Sequence, residues 1–457
     1  MSDGSRHYDL TQGTAWRVML YFAMPIFLGT LFQSFYTTAD AVIIGRFAGK
    51  SSLAAIESVY TLTKLPVNFF MGLASGATII LSQYFGAKKL KEVSDASHTV
   101  ILFALVGGLL LSIIGCVLSP LFIRWTNVPE EILRDAQIYI LIYFGGLSVS
   151  MIYNVGAGIL RALGNSKTPF YFLIVANLLN VVLDLFFIVV LEWGVAGAAT
   201  ATVLSKAFCA ILVMRELFRT TLPCRIDRHK IRAHPVHLKE IFRLGLPIGI
   251  QFTLYPIANT IVQSKTNTFG VNSIAAWAVC GKLDFLIWTV TDAFNVAVST
   301  FVAQNYGALQ FRRAKKGVLV GLAMCSAAIL TVSAILYFGS VPLARLLVED
   351  EAVIEIVHGI MLFLAPLYII FVFCEIFPAA IRGTGETLKP MIITLLCTCL
   401  FRVLWIWFVV PIRPTLRMVL GCFPASWGLS ATIFFIFYIY TMGKKLKDQE
   451  DLVSDKK

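Results

Sequence analysis

The sequence predicts an all-α integral membrane protein with twelve transmembrane helices in two parallel six-helix repeats. Three observations lead there. Of 457 residues, 58% are hydrophobic and only 14% are charged, whereas soluble chains carry about 25% charged residues. Apolar runs of about 20 residues, the length that crosses a ~30 Å hydrocarbon core, recur along almost the whole chain. Short motifs also return at one fixed spacing.

The runs fall near residues 15–44, 54–77, 95–118, 132–156, 169–190, 195–214, 240–264, 278–301, 316–338, 354–380, 389–410 and 415–440. The first is too long for a removable signal peptide and lacks its small-residue cleavage pattern, so it reads as a membrane helix. Twelve crossings put both termini on one side. That side collects "GAKKLKE", "RALGNSKTP", the stretch 215–243, "LQFRRAKK", "RGTGETLKP" and "GKKLK", while "VPEEILRD" and "VEDEAVIE" fall opposite. Lys and Arg accumulate in cytoplasmic loops, so both termini are expected in the cytoplasm, with the chain in the cell (plasma or inner) membrane. The same bias accounts for the net charge of +12 without nucleic acid as a partner. The nine cysteines lie mostly inside apolar runs with no repeated spacing, which implies neither a disulfide framework nor a metal site.

The repeat is read from the motifs. "SQYFGA" at 82–87 returns as "AQNYGA" at 303–308, "ILRALGNSKTP" at 159–169 as "AIRGTGETLKP" at 380–390, and "SLAAI" at 52–56 as "SIAAW" at 273–277. All three shifts are 221 residues, and Pro25 and Pro247 are 222 apart. An even number of crossings per copy makes the copies parallel. The expected organisation is an N-terminal lobe at 1–218, a basic cytoplasmic linker at 219–238 and a C-terminal lobe at 239–457. Two lobes that rock about a central site suit a transporter.

A layer of polar residues interrupts the apolar runs of the first lobe. A carboxylate at a helix centre in lipid costs about 2.5–3.5 kcal/mol on insertion scales, so it faces a partner or a cavity. Asp184 lies about 9 Å below the outer end of the fifth helix, and Asn180 stands one turn deeper on the same face. Thr202 in the sixth helix, Tyr139 in the fourth and Asp40 in the first fall at a similar depth. The second repeat lacks this set: Trp405, Phe401 and Val262 stand where Asp184, Asn180 and Asp40 would recur. Oxygen ligands of this kind suit a hard cation such as Na⁺. Two neighbouring carboxylates in low dielectric equally suit a proton. A network that merely ties helices together would be served as well by neutral groups.

The stretches "MPIFLGTLFQSFYTTADAVIIGRFAG", "SQYFGA", "RALGNSKTP", "NLLNVVLDLFFI" and "WGVAGAATATVLS" resemble the multidrug and toxic compound extrusion (MATE) transporters over essentially the whole chain. The resemblance implies two six-helix bundles in a V, acting as an antiporter that exports small organic cations in exchange for H⁺ or Na⁺, with no other cofactor. It places the cation-coupling ligands at Asp40, Asn180, Asp184 and Thr202, with Tyr139 in the surrounding network and the carbonyl of Ala198 joining them for Na⁺. Lys206 departs from the family, which more often has an uncharged polar residue there; it is expected either to pair with Asp184 or to point elsewhere.

The C-terminal lobe carries Asp292, Glu375 and Arg402 inside helices. The acids are candidates for a cationic-substrate pathway together with Tyr36, Tyr255 and Trp288, whose rings can hold a cation over their faces. The bland reading pairs Arg402 with one of the acids. Lys282 and Asp284 are expected to snorkel to the interface. A flippase for amphipathic lipids or lipid-linked saccharides is the rival within the same superfamily, but it should show a basic central cavity, and the layer here is acidic. The six histidines lie near membrane edges or in loops, and no nucleophile–base or H-E-x-x-H spacing appears, so an enzyme is not expected. A monomer in the bilayer is the expected state.

Overall fold

In lipid a chain can satisfy its backbone by helix or closed barrel alone. The computed structural model describes residues 9–125 and 128–454, and all regular structure among them is helical. In order come α1 (Ala15–Ala48), α2 (Lys50–Gly86), α3 (Leu90–Trp125), α4 (Glu130–Gly145), α5 (Leu147–Ala162), α6 (Lys167–Val190) and α7 (Gly194–Arg219). The second half runs α8 (Pro235–Asn267), α9 (Val271–Leu283), α10 (Phe285–Gly307), α11 (Phe311–Arg345), α12 (Glu351–Gly383), α13 (Leu388–Ile412) and α14 (Leu416–Gly443). Among the described residues, 11 helices are long and apolar enough to cross a membrane. The pair α4–α5, bent by 44°, makes the twelfth crossing. The bend falls at Gly146, where a Cβ would stand 2.4 Å from Val203 Cγ2.

The repeat is visible in the backbone. α2 recurs as α9 plus α10, Lys50–Gly86 against Val271–Gly307, both ends displaced by the same 221 residues. Positive backbone angles recur with it: Gly49 has φ 91° and Gly270 94°, and Gly164 has 87° where Gly385 has 90°. A side chain disfavours that conformation, so these glycines close one helix and release the chain into the next. Two expected boundaries move. α2 is longer at both ends than the apolar run at 54–77, because its polar last turns remain helical outside the hydrophobic window. The run at 278–301 is broken at Asp284, which separates α9 from α10.

The chain forms two compact units. Met24–Gly249 makes up most of the first; Leu10–Ala23 joins Ile250–Lys457 in the second. α1 and α8 therefore each begin in one unit and end in the other. Within the first unit, Gly72 and Gly76 of α2 face Gly249 and Gly245 of α8. A Cβ on Gly72 would lie 2.3 Å from the Gly249 nitrogen, and one on Gly76 2.4 Å from that of Gly245. Two G-x-x-x-G pairs thus let the backbones touch, the close packing that membrane helices use in place of a hydrophobic driving force. Within the second unit, the Leu10 N–H donates to Gln304 Oε1 at 3.1 Å, and Asn305 Nδ2 donates to the Leu10 carbonyl at 3.1 Å. Both acceptor and donor side chains belong to the "AQNYGA" motif.

The basic segment 219–238 is folded against α3. The Asp227 N–H donates to His98 Nε2 at 2.9 Å, and the His234 N–H to Thr99 Oγ1 at 3.2 Å. His98 Nδ1 contacts the Ser94 carbonyl at 2.7 Å, so it carries the ring proton and leaves Nε2 free to accept. Cys224 and Ile226 of this segment are buried.

Candidate functional site

Four helices of the first unit bring the expected polar layer together. On α1, Tyr36 and Asp40 are one turn apart, and on α6 Asn180 and Asp184 are likewise. α7 offers Ala198, Thr202 and Lys206 at the same interval, and α4 offers Tyr139 and Tyr143. The backbone widens into a π-helical turn just after each acid, at Ile44–Ala48 and Leu185–Val190. Such turns often mark functional positions.

Asp184 has no exposed surface and Asn180 has 1%. Asp40 is half-buried. Its carboxyl lies close to the Asp184 carboxyl, near enough for the two acids to interact. The Tyr36 side chain lies close to Thr202 and to both acids. Tyr139 stacks on Tyr143 with centroids 5.8 Å apart and lies near Asp40 and Tyr36. Both carboxylate oxygens of Asp184, Oδ1 of Asp40 and both amide atoms of Asn180 are buried with no hydrogen-bonding partner among the described residues. Uncompensated burial of this kind is costly, and a proton or a small cation is the partner this set accepts. The donors are oxygens, which fits Na⁺ as well as H⁺.

Lys206 does not pair with Asp184. Its ammonium lies over the Tyr153 ring, 5.7 Å from the centroid.

The second unit holds a different polar chain. Glu375 accepts from Asn295 Nδ2, and Asn295 Oδ1 accepts from Arg382 Nη2 at 3.1 Å. Asp292, which is exposed, is within electrostatic reach of Glu375 and Arg382. Arg382 and Asn295 were not singled out from sequence as functional. The available signal was the recurrence of Arg161 as Arg382 inside the repeated motif. Arg402, expected to pair with an acid, instead bonds neutral groups: Nε donates to Ser426 Oγ at 3.0 Å and Nη1 to Asn259 Oδ1 at 2.6 Å. Its guanidinium also lies 4.5 Å from the Phe423 centroid and 5.4 Å from that of Tyr255. Flat and weakly hydrated, it is held by ring faces where a carboxylate is absent. Trp288 packs into an aromatic cluster, 4.7 Å from Phe371 and 6.4 Å from Trp427. Asp284, expected at the interface, is buried and accepts from the Tyr368 hydroxyl at 3.0 Å; Lys282 beside it is exposed. The break between α9 and α10 turns the Asp284 side chain inward.

A family model described as MatE matches residues 25–186 and 247–408, one copy on each repeat. The probable multidrug resistance protein YoeA of Bacillus subtilis is 27% identical over 448 residues, covering 94% of this chain and 95% of the relative. A protein named FAD transporter from Shewanella oneidensis is 25% identical, covering 83% and 84%. Among solved structures, a MOP superfamily transporter from Pyrococcus furiosus superposes with a TM-score of 0.90 at 21% identity, over 97% of this chain and 99% of that one. An outward-facing multidrug resistance MATE family transporter matches with the same TM-score and identity. With the same polypeptide pattern matched on both repeats, the chain is a member of the MatE family of multi-pass multidrug efflux transporters.

Proposed function

We propose that the chain is a secondary active antiporter of the cell membrane that exports small organic cations while H⁺ or Na⁺ enters the pair Asp40–Asp184. One observation supports this above others: two carboxyls lie close together inside a membrane-spanning unit, and among the described residues Asp184 has no donor to satisfy it. A proton would bridge the two acids. Na⁺ would be held by Asp40, Asp184, the Asn180 oxygen, the Ala198 carbonyl and Thr202, with Tyr139 bounding the set. Both termini lie in the cytoplasm in this reading, with the repeats 1–218 and 239–457 as the moving halves and 219–238 as the connection.

The physical logic is a charge gate. A neutralised site tolerates an occluded, poorly hydrated state, whereas the ionised pair favours access to water. Organic cations that compete for the same negative charge leave when the coupling ion binds. Driving such a switch from 1:99 to 99:1 takes about 5.5 kcal/mol of differential affinity, to which membrane potential adds ~2.3 kcal/mol per charge per 100 mV. Proteoliposomes loaded with a cationic dye test the reading. Dye flux should accelerate under an imposed Na⁺ or pH gradient; flux indifferent to both gradients would overturn it.

A further inference from the structure

The acidic layer has a basic neighbour. Lys206 lies in the middle of α7, 12 residues after Gly194 and 13 before Arg219, about 18 Å and 20 Å from the two ends. Lys64 of α2 faces it, near enough for the two ammoniums to repel, and α2 packs against α7. Each ammonium lies over a tyrosine ring: Lys64 at 5.0 Å from Tyr60 and Lys206 at 5.7 Å from Tyr153. Neither has a carboxylate partner among the described residues. Both are half-buried, and an ionisable side chain inside a membrane helix turns toward a partner or a water-filled cavity rather than lipid. Snorkelling does not explain Lys206, because its head is turned onto Tyr153 far from either helix end.

Two like charges held together without a counter-charge are best balanced by an anion. We propose that Lys64 and Lys206 form a binding subsite for the oxyanion group of an aromatic organic substrate, with the exposed ring of Tyr60 as its stacking face. Ammoniums act as point charges and accept a carboxylate or a phosphate alike. Lys206 is one turn below Thr202, which lies close to Tyr36, one turn before Asp40. The oxyanion subsite therefore sits about 6 Å along α7 from the acidic layer. A zwitterion with its cation toward Asp40 and its anion toward Lys206 spans the two. This rests on the exporter reading for its biological use, but binding can be measured without transport.

The test is equilibrium binding of two xanthene dyes to the purified protein in non-ionic detergent, followed by fluorescence anisotropy. One dye has a free carboxylate; the other is its methyl ester, with the same rings and the same cationic centre. Lys64→Met and Lys206→Met should each weaken the free acid about tenfold, equivalent to about 1.4 kcal/mol, and leave the ester unchanged or tighter. Lys64→Arg and Lys206→Arg should restore most of the affinity for the acid. Competition by an aryl phosphate against an anionic phospholipid separates a soluble oxyanion from a lipid headgroup. Equal losses for acid and ester would show a packing role and overturn the proposal. So would an acid whose affinity ignores both substitutions, or displacement by the phospholipid alone. Gradient-driven flux of the ester in vesicles reports on the exporter reading separately.

Discussion

Asp40 of α1 and Asp184 of α6 lie close together, and among the described residues no amide, hydroxyl or ammonium donor reaches either oxygen of Asp184. Such a pair is stable only while something positive is shared between the two acids or supplied to them.

Asp184→Asn keeps the shape of that side chain and removes its charge. The variant should reach the membrane at normal abundance, while gradient-driven efflux of a cationic dye falls about tenfold or more, the factor that ~1.4 kcal/mol of lost differential binding gives. Asp40→Asn should behave alike, and Asp292→Asn should lose less, because Asp292 belongs to the polar chain of Glu375 and Arg382 in the second unit. Equal losses at Asp40 and Asp292 would spread coupling over both units.

The paired glycines of α2 and α8 set a steric limit. Gly72→Val puts a side chain where the Gly249 backbone already stands, at 2.3 Å. The cost should exceed the ~1–3 kcal/mol of ordinary overpacking, because backbone cannot rotate aside. Loss of monodisperse protein on size exclusion is the expected result. Gly428→Ala, which meets nothing within 4 Å, should be silent.

Arg402 supports its neighbours through hydrogen bonds rather than charge pairing. Arg402→Met should lower thermal stability, since Asn259 loses a donor, an omission worth ~1–3 kcal/mol for a buried polar group. Adding Asn259→Leu should cost less than the two single changes predict. Strict additivity would mean that the Arg402–Asn259 bond contributes nothing.

Cys224 should resist thiol reagents on either side of the membrane. It is fully buried, and burial pushes its thiol up to about 12 from 9.0. The folded state keeps this proton where the unfolded chain loses it, so the associated stability is complete below pH 9 and is lost as pH rises through about 12. Lys230→Cys, at an exposed position, should instead label readily in opened cells and not in intact ones. Labelling of intact cells would reverse the proposed orientation.

Spans and repeats were legible in sequence because both are periodic: apolar runs have a length that the bilayer sets, and the motifs recur at one offset. The layer holding Asp40 and Asp184 was legible because a carboxylate in an apolar run stands out, and helical rise alone fixes its depth. Partners were not legible. Arg402 finds Asn259 across 143 residues of chain, and Asp284 turns inward because the helix breaks at its own position, which no run of apolar letters reveals. Lys64 escaped notice for the same reason. It lies within the apolar run at 54–77, and only the approach of α7 makes it a neighbour of Lys206.

The exchange of helix halves bears on how the chain can be divided. α8 enters beside Gly72 and Gly76 and finishes with the second unit, while the first residues of α1 do the reverse. A single repeat could complete neither unit from its own residues, because each unit takes the opening of a helix from the other repeat. Splitting the present gene at the linker would produce two polypeptides that are each missing a piece only the other carries, so neither half should fold when expressed alone.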